Sequence, residues 1–231
     1  SVYSECPDMF ATLRYLIVGG EALTSAIMNR IVKQQNRPTH ILNGYGPTES
    51  TTFTATYECQ LSEGSVPIGQ PVNGRQVYVL SASRSLVPVG CVGELYVGGA
   101  GVALGYLNKP ILSEQAFISG ADVDVADVDA QAVLYKTGDK VRWLESGDLE
   151  YLGRDDKQVK LRGYRIELEE IESVLMAQDN VQHALVQVKA QGEDASLVAY
   201  VVAQEATSWD ESGLVATLKS QLASYQLPSH W

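Results

Sequence analysis

Asn43-Gly44-Tyr45-Gly46-Pro47-Thr48-Glu49 places an aromatic ring, a hydroxyl and a carboxylate on one turn bent by glycine and proline. A loop of this kind can stack a base on Tyr45, bond a phosphate oxygen through Thr48 and hold Mg²⁺ through Glu49. Standing alone, it would equally serve as a polar turn over a buried tyrosine. The three residues before it, His40-Ile41-Leu42, read as a short strand. Further upstream, the apolar run at 13–18 closes on Gly19-Gly20 and predicts a buried strand entering a tight turn. Thr24 then caps a helix on which Ile27, Ile31 and Val32 share a face, ending before Pro38. Strand, helix and strand in that order predict a parallel α/β layer.

Downstream, from about Thr52 to Arg154, short β runs are punctuated by Gly and Pro; the clearest are 76–80, 94–97, 133–136, 141–144 and 149–152. Ser146-Gly147-Asp148 predicts a hairpin turn between the last two. The pattern suggests a small antiparallel sheet or a barrel-like part. A second unit begins at Asp156, so the expected division is 1–155 and 156–231. In the second unit 157–165 is strand-like, and 167–176 is a helix with Leu168, Ile171 and Leu175 inward. Strands at 184–188 and 197–202 are joined by a Gly192-Glu193-Asp194 turn, and Leu214, Leu218 and Leu222 mark a last helix.

Composition narrows the class. A hydrophobic content of 45% with 19% charged residues is that of a globular protein. The net charge of −11 argues against a nucleic-acid surface, which needs a basic stripe. No apolar run approaches a membrane span, and Ser1-Val2-Tyr3-Ser4 does not read as a signal peptide. Cys6, Cys59 and Cys91 are odd in number and lack metal-ligand spacing, so buried or half-buried thiols in a reducing cytoplasm are expected. Asp122, Asp124, Asp127 and Asp129 have neither the glycine nor the distal glutamate of a calcium loop, which leaves a solvated loop. Gly99-Ala100-Gly101 with Gly105 imitates a dinucleotide fingerprint, but its third glycine falls one position late; strand-turn geometry at a sheet edge is the better account. There is no Gly-x-Ser-x-Gly, and His40, His183 and His230 have no nucleophile assigned to them by the sequence.

Three further stretches follow the opening motif in fixed order: Gly93-Glu94-Leu95-Tyr96-Val97-Gly98-Gly99 running into Gly101-Val102-Ala103-Leu104-Gly105-Tyr106-Leu107, Tyr135-Lys136-Thr137-Gly138-Asp139, and Gly153-Arg154-Asp155-Asp156-Lys157-Gln158-Val159-Lys160 leading to Arg162-Gly163-Tyr164-Arg165-Ile166-Glu167. A carboxylate at the strand end of Thr-Gly-Asp can accept both ribose hydroxyls. Arg154, Lys160, Arg162 and Arg165 form a basic cluster that can neutralise phosphate charge. Together the motifs resemble, over nearly the whole chain, the central and later core motifs of adenylate-forming enzymes, and specifically the adenylation domains of nonribosomal peptide synthetases.

The resemblance implies an α/β fold with a β-barrel-like part and a small α+β C-terminal subdomain, the adenylate-forming fold in incomplete form. The family's phosphate loop, its amine-binding aspartate and its late catalytic lysine have no counterpart here. It implies catalytic roles for Thr48, Glu49 and Lys160, with Glu49 on the metal. Asn43, Gly44, Tyr45, Thr48, Asp139, Tyr151 and Arg154 correspond to nucleotide-binding positions. Asp156 corresponds to a hinge and Gly163 to the loop that admits a pantetheine arm. Ile17, Gly19, Gly44, Thr52 and Phe53 line part of an amino-acid pocket whose combination resembles valine-activating domains. ATP and Mg²⁺ are the implied cofactors, and the implied partners are a phosphopantetheine-bearing peptidyl carrier domain and a condensation domain. An acyl- or aryl-CoA ligase of the same superfamily and a non-catalytic interaction segment are the alternatives.

Overall fold

A computed structural model describes residues 7–191, 194–204 and 211–231. It divides into two compact units, one ending at Asp155 and the other spanning Asp156–Trp231.

In the first unit β1 (Tyr15–Gly19), α1 (Ser25–Val32) and β2 (His40–Tyr45) form the strand–helix–strand layer, and β1 pairs with β2 in parallel. β3 (Ala55–Glu58) and β4 (Gln70–Pro71) add antiparallel strands in the order β1-β2-β3-β4. Among the described residues β1 lies at the sheet's edge, so in place of the expected burial Tyr15 is 49% and Ile17 45% exposed. The buried face of α1 is Met28 and Ile31, packed with Ile41, Cys59 and Val66, whereas Ile27 points outward. Thr24 holds the N-cap position in extended conformation, but its side chain makes no cap bond; its carbonyl accepts from the Ile27 and Met28 amides.

The second sheet contains β5 (Arg75–Leu80), β6 (Gly93–Gly99), β7 (Phe117–Ser119), β8 (Val133–Trp143) and β9 (Leu149–Arg154). Its order is β5-β6-β8-β7 with β9 beside β8, an open antiparallel sheet and not a closed barrel. Val79, Leu95, Val97, Val141 and Leu149 are fully buried and join Tyr45 and Ala55 of the first sheet in one core. Each such aliphatic side chain contributes about 1.5–3 kcal/mol on leaving water. Helix α2 (Pro110–Ala116) escapes the sequence reading because Pro110 looks like a breaker, yet proline at the first helical position is pre-set for the helix. The glycine turn at Gly99–Gly101 follows β6, which lies between β5 and β8, so it closes an interior strand rather than an edge.

The two strands expected at 133–136 and 141–144 are one strand, β8. Thr137-Gly138-Asp139 suggests a turn in sequence, but with φ of 75° at Gly138 it forms an irregularity inside the strand. Such bulges re-aim a side chain.

In the second unit the expected single strand is a hairpin of β10 (Gln158–Leu161) and β11 (Tyr164–Glu167). Its turn residues, Arg162 and Gly163, have φ of 53° and 79°, the positive pair that a tight type I′ connection requires. Arginine in that conformation masks the turn in sequence. α3 (Leu168–Met176), the β12 (Val181–Gln191) and β13 (Asp194–Ala203) pair, and α4 (Glu211–Gln221) complete it. Ile166, Ile171, Leu175, Val186, Leu197 and Leu218 form the core. Gly192 and Glu193 of the expected turn lie outside the described residues, as do Ser1-Val2-Tyr3-Ser4 and Cys6. Cys59 is buried, whereas Cys91 is exposed, which corrects the expectation for that thiol. Among the described residues no helix is long and apolar enough to cross a membrane.

Candidate active site

The irregularity in β8 aims Asp139 inward. Thr137 stabilises it by donating to the Leu95 carbonyl at 2.8 Å and accepting from the Asp139 amide at 3.0 Å, while Glu94 Oε1 accepts from Gly138 N at 3.1 Å. Across the β8–β9 ladder, where Asp139 faces Arg154, Arg154 Nη1 lies 2.6 Å from Asp139 Oδ1, both side chains being almost wholly buried. The other oxygen, Oδ2, accepts from the Tyr45 hydroxyl. Burial first, and then the neighbouring Asp139 charge, push the Tyr45 hydroxyl well above its usual range and keep it a neutral donor. Tyr151 lies 6.4 Å from the Tyr45 ring, tilted by 38°. Tyr45 is thus packed inward, at 6% exposed, with its hydroxyl on the carboxylate rather than presenting its ring to solvent. A carboxylate has about four acceptor positions, so these two bonds leave capacity for hydroxyl donors.

Asn43 is also turned inward: at 3% exposed, its side-chain amide donates to the Pro67 carbonyl at 2.7 Å, tying β2 to the segment before β4. The short 3₁₀ turn Thr48–Ser50 then exposes the Thr48 side chain and buries Glu49. Glu49 Oε1 accepts from the Tyr106 hydroxyl at 2.6 Å, and the Glu49 carbonyl accepts from Ala103 N at 2.8 Å. Tyr106 packs edge-on against Phe117, 5.4 Å between centroids, and Phe117 in turn meets Tyr135 at 5.1 Å. Burial, followed by the Glu49 bond, raises the Tyr106 hydroxyl well above its usual value. Tyr106 belongs to a motif visible in the sequence, but its reach across to Glu49 has no local sequence signal. Among the described residues no three or more His, Cys, Asp or Glu gather to hold a metal. A single buried carboxylate nevertheless fits Mg²⁺, which is usually held by one or two carboxylates plus substrate phosphates.

Ile17, Gly19, Gly44 and Phe53 are brought together at the β1–β2 edge. Gly19 opposes Gly44 in register, and a Cβ on Gly44 would fall 2.5 Å from Phe53 Cε1 and 2.9 Å from Ile17 Cγ2. The phenyl ring therefore rests directly on the Gly44 backbone. Before it, Thr51 and Thr52 adopt φ of 52° and 67°. β-Branched residues rarely enter that region, and each such conformation costs about 1–3 kcal/mol.

Asp156, Lys160 and Gly163 belong to the second unit. Gln158 N donates to Asp156 Oδ1 at 3.2 Å. Lys160 stands opposite Arg165 in the β10–β11 register, two like charges facing across a ladder, and Arg165 Nε lies 3.8 Å from Glu167 Oε1. Arg162 Nη2 donates to the Ala195 carbonyl at 3.4 Å. The basic run of the sequence is thus divided: Arg154 serves Asp139 in the first unit, and the others lie in the second. A Cβ on Gly163 would meet nothing within 4 Å, so its positive φ, not crowding, accounts for glycine there.

Other polar features have local roles. Asp122 and Asp129 accept from the Ser119 and Gln131 amides, and Asp124 accepts from the Ser85 hydroxyl. His40 pairs with Glu58 at 2.9 Å and stacks on Tyr15.

The Tyr45 hydroxyl thus links the buried Asp139 carboxylate to the strand that leads into the turn carrying Thr48 and Glu49. Residues 4–107 match the family of AMP-binding enzymes, which gives the class. Tyrocidine synthase 3 of Brevibacillus parabrevis is 45% identical over 228 residues, 97% of this chain and 3% of that protein. PA1221, a nonribosomal peptide synthetase protein containing adenylation and carrier (PCP) domains, superposes with a TM-score of 0.83 at 30% identity over 99% of this chain and 45% of its own. The Vibrio cholerae adenylation domain AlmE, solved with glycyl-adenosine-5'-phosphate, gives 0.80 at 29% over 95% and 41%. The chain belongs to the adenylation domains of nonribosomal peptide synthetases, and it spans less than half the length of these relatives.

Proposed function

We propose that this chain supplies the ribose-facing and metal-facing part of an amino-acid-activating site. An oxygen of the amino-acid carboxylate attacks the α-phosphorus of ATP, the bond from that phosphorus to the bridging oxygen breaks, and pyrophosphate leaves as aminoacyl-AMP forms. The carrier phosphopantetheine thiolate then attacks the acyl carbon, and AMP leaves. A condensation domain would use the loaded thioester. The observation that carries this reading is the buried Asp139 carboxylate, fixed by Arg154 and Tyr45 with acceptor capacity left for ribose hydroxyls. Thr48, exposed at the motif turn, offers a hydroxyl to a phosphate oxygen, and Tyr151 packs beside the nucleoside position. Asn43 and Gly44 act through the β2 backbone that floors the adenine side. Glu49 would hold Mg²⁺, which supplies charge neutralisation for the phosphates when bound. Lys160 and Gly163 serve from the second unit, with Asp156 as the pivot for the two half-reactions. The glycyl adenylate of the AlmE complex supports an aminoacyl rather than a fatty-acyl intermediate.

For substrate, the pocket of Ile17, Gly19, Gly44, Thr52 and Phe53 has no charged member, so an ionic side chain would enter without a partner, at a cost of several kcal/mol. Phe53 lying on Gly44 shortens it, which favours valine, with isoleucine as competitor because one methylene discriminates by only about 1–3 kcal/mol. Amino-acid-dependent ATP–pyrophosphate exchange by the intact protein tests both levels. Exchange with valine is expected; preference for Phe, Asp or Lys overturns the substrate, and exchange only with fatty or aryl acids overturns the amino-acid reading.

A further inference from the structure

The strained pair Thr51 and Thr52 sits immediately before Phe53 and must be held by something. Thr51 Oγ1 donates to the Gly101 carbonyl at 2.8 Å. From the start of β5, Arg75 reaches the same loop: Nη2 donates to the Thr51 carbonyl and Nε to the Phe53 carbonyl, each at 3.3 Å. The guanidinium thus brackets Thr52, bonding the carbonyls of the residues on either side. Its path is also fixed from the far side. A Cβ on Gly101 would fall 2.0 Å from Arg75 Nη1 and 2.4 Å from Nη2, so the guanidinium occupies the space that only glycine leaves. A planar fork with several donors at fixed angles suits this task, and an ammonium, with one donor atom, does not.

We propose that Arg75 is a positioning residue for amino-acid selection. By clamping the Thr51-Thr52-Phe53 loop in its left-handed conformation it fixes the Phe53 ring on Gly44 and Ile17, and so sets the depth of the pocket. Without the clamp, Thr51 and Thr52 relax toward negative φ, which draws Phe53 off Gly44 and deepens the site. Arg75 itself touches neither the proposed nucleotide groups nor the reacting atoms. The effect on selectivity rests on the pocket reading above; the effect on the ring does not.

The test uses the intact protein, with 4-fluorophenylalanine placed at position 53 and with exchange measured for valine, leucine and phenylalanine. Arg75→Gln should shift and broaden the position-53 fluorine resonance. It should raise KM for valine about tenfold, lower the valine-to-leucine preference by a similar factor, and leave KM for ATP within about twofold. Arg75→Lys, which keeps charge and stem, should recover only part of the preference and serves the same purpose if Arg75→Gln fails to fold. An unchanged fluorine resonance in both variants overturns the clamp. A shifted resonance with preference unaltered in Arg75→Gln and also in Phe53→Ala overturns the pocket reading instead. Altered preference in Phe53→Ala alone, with Arg75→Gln behaving as wild type, leaves the pocket standing and removes Arg75 from it. Parallel losses in valine KM, ATP KM and melting temperature assign Arg75 a structural role only, and overturn the proposal.

Discussion

The Tyr106 hydroxyl lies 2.6 Å from Glu49 Oε1, joining residues 57 positions apart in sequence. A neutral phenol donating to a buried carboxylate holds it in one orientation without cancelling its charge. Hydrogen bonds to charged groups are worth about 1.5–3 kcal/mol. Tyr106→Phe keeps the aromatic packing on Phe117 and loses that bond. Exchange activity should fall roughly tenfold to a hundredfold at fixed Mg²⁺, with the Mg²⁺ requirement rising, since about 1.4 kcal/mol is a factor of ten. A Mg²⁺ titration of the exchange rate is the measurement. An unchanged requirement would separate Tyr106, or Glu49 itself, from the metal.

Asp139→Asn tests the ribose contact and the ion pair together. It leaves the buried Arg154 guanidinium facing a neutral amide in place of a carboxylate, and breaking a buried ion pair by removing one partner costs up to about 3–5 kcal/mol. Arg154→Gln in the same background should recover part of the stability but none of the ATP affinity. Denaturant melts read the first quantity and nucleotide titration the second. Recovery of ATP affinity along with stability would show that Asp139 acts on the fold alone.

Either side of Asp156 the chain is tied down within its own unit. Lys140 Nζ lies 2.9 Å from Asp155 Oδ2, while Lys157 Nζ lies 3.0 Å from Glu172 Oε2. Glu172 is itself fixed by accepting from Val186 N at 2.9 Å. Asp156 is the residue between these two anchors, which is where a pivot for two half-reactions would act. Asp156→Pro restrains φ near −65° and should slow adenylation and thioester formation by clearly different factors. Single-turnover assays of each step check it, and equal slowing with folding intact would count against the pivot.

Cys59 and Cys91 should behave oppositely toward a thiol reagent. Burial, outweighing the other influences, pushes the Cys59 thiol up to about 11, whereas Cys91 is exposed. At pH 8, with Cys6 replaced by serine, Cys91 should react within the mixing phase and Cys59 only on unfolding. The sign for stability follows from linkage: the folded state holds the Cys59 proton to higher pH than the unfolded chain does. This contribution is fully present below about pH 9 and is lost as pH rises toward about 11. Cys59→Ala should flatten the fall in stability over that interval, which melts at successive pH values would register.

Elements with local causes were legible in the sequence. β5, β6 and β9 announce themselves as apolar runs bounded by glycine, and the inward face of α3 follows from Leu168, Ile171 and Leu175. The Ile17–Gly44–Phe53 contact was accessible only through resemblance, because adjacency of β1 and β2 brings those residues together. Two features had no local trace, Arg75 crossing 24 residues to the Thr51 carbonyl and Tyr106 crossing 57 to Glu49, and a third, the strand irregularity that turns Asp139 inward, showed in sequence only as a turn. Each depends on tertiary register. The hairpin at Arg162-Gly163 was hidden for another reason: arginine holds a conformation in which glycine or asparagine is the usual signal.

The bond from Tyr45 to Asp139 spans 94 residues of chain and sets a clock on synthesis. At about 5–20 residues per second, Asp139 is joined to the growing chain roughly 5–20 s after Tyr45. During that interval the motif turn exists without the carboxylate that anchors it, and Arg154 follows later still. A nascent chain halted before Asp139 cannot close this site, whereas one halted after Arg154 has cleared the ribosomal exit can. Nucleotide capture by arrested chains of graded length would therefore begin as a step, at a length set by β8 and β9 rather than by the motif that first draws the eye.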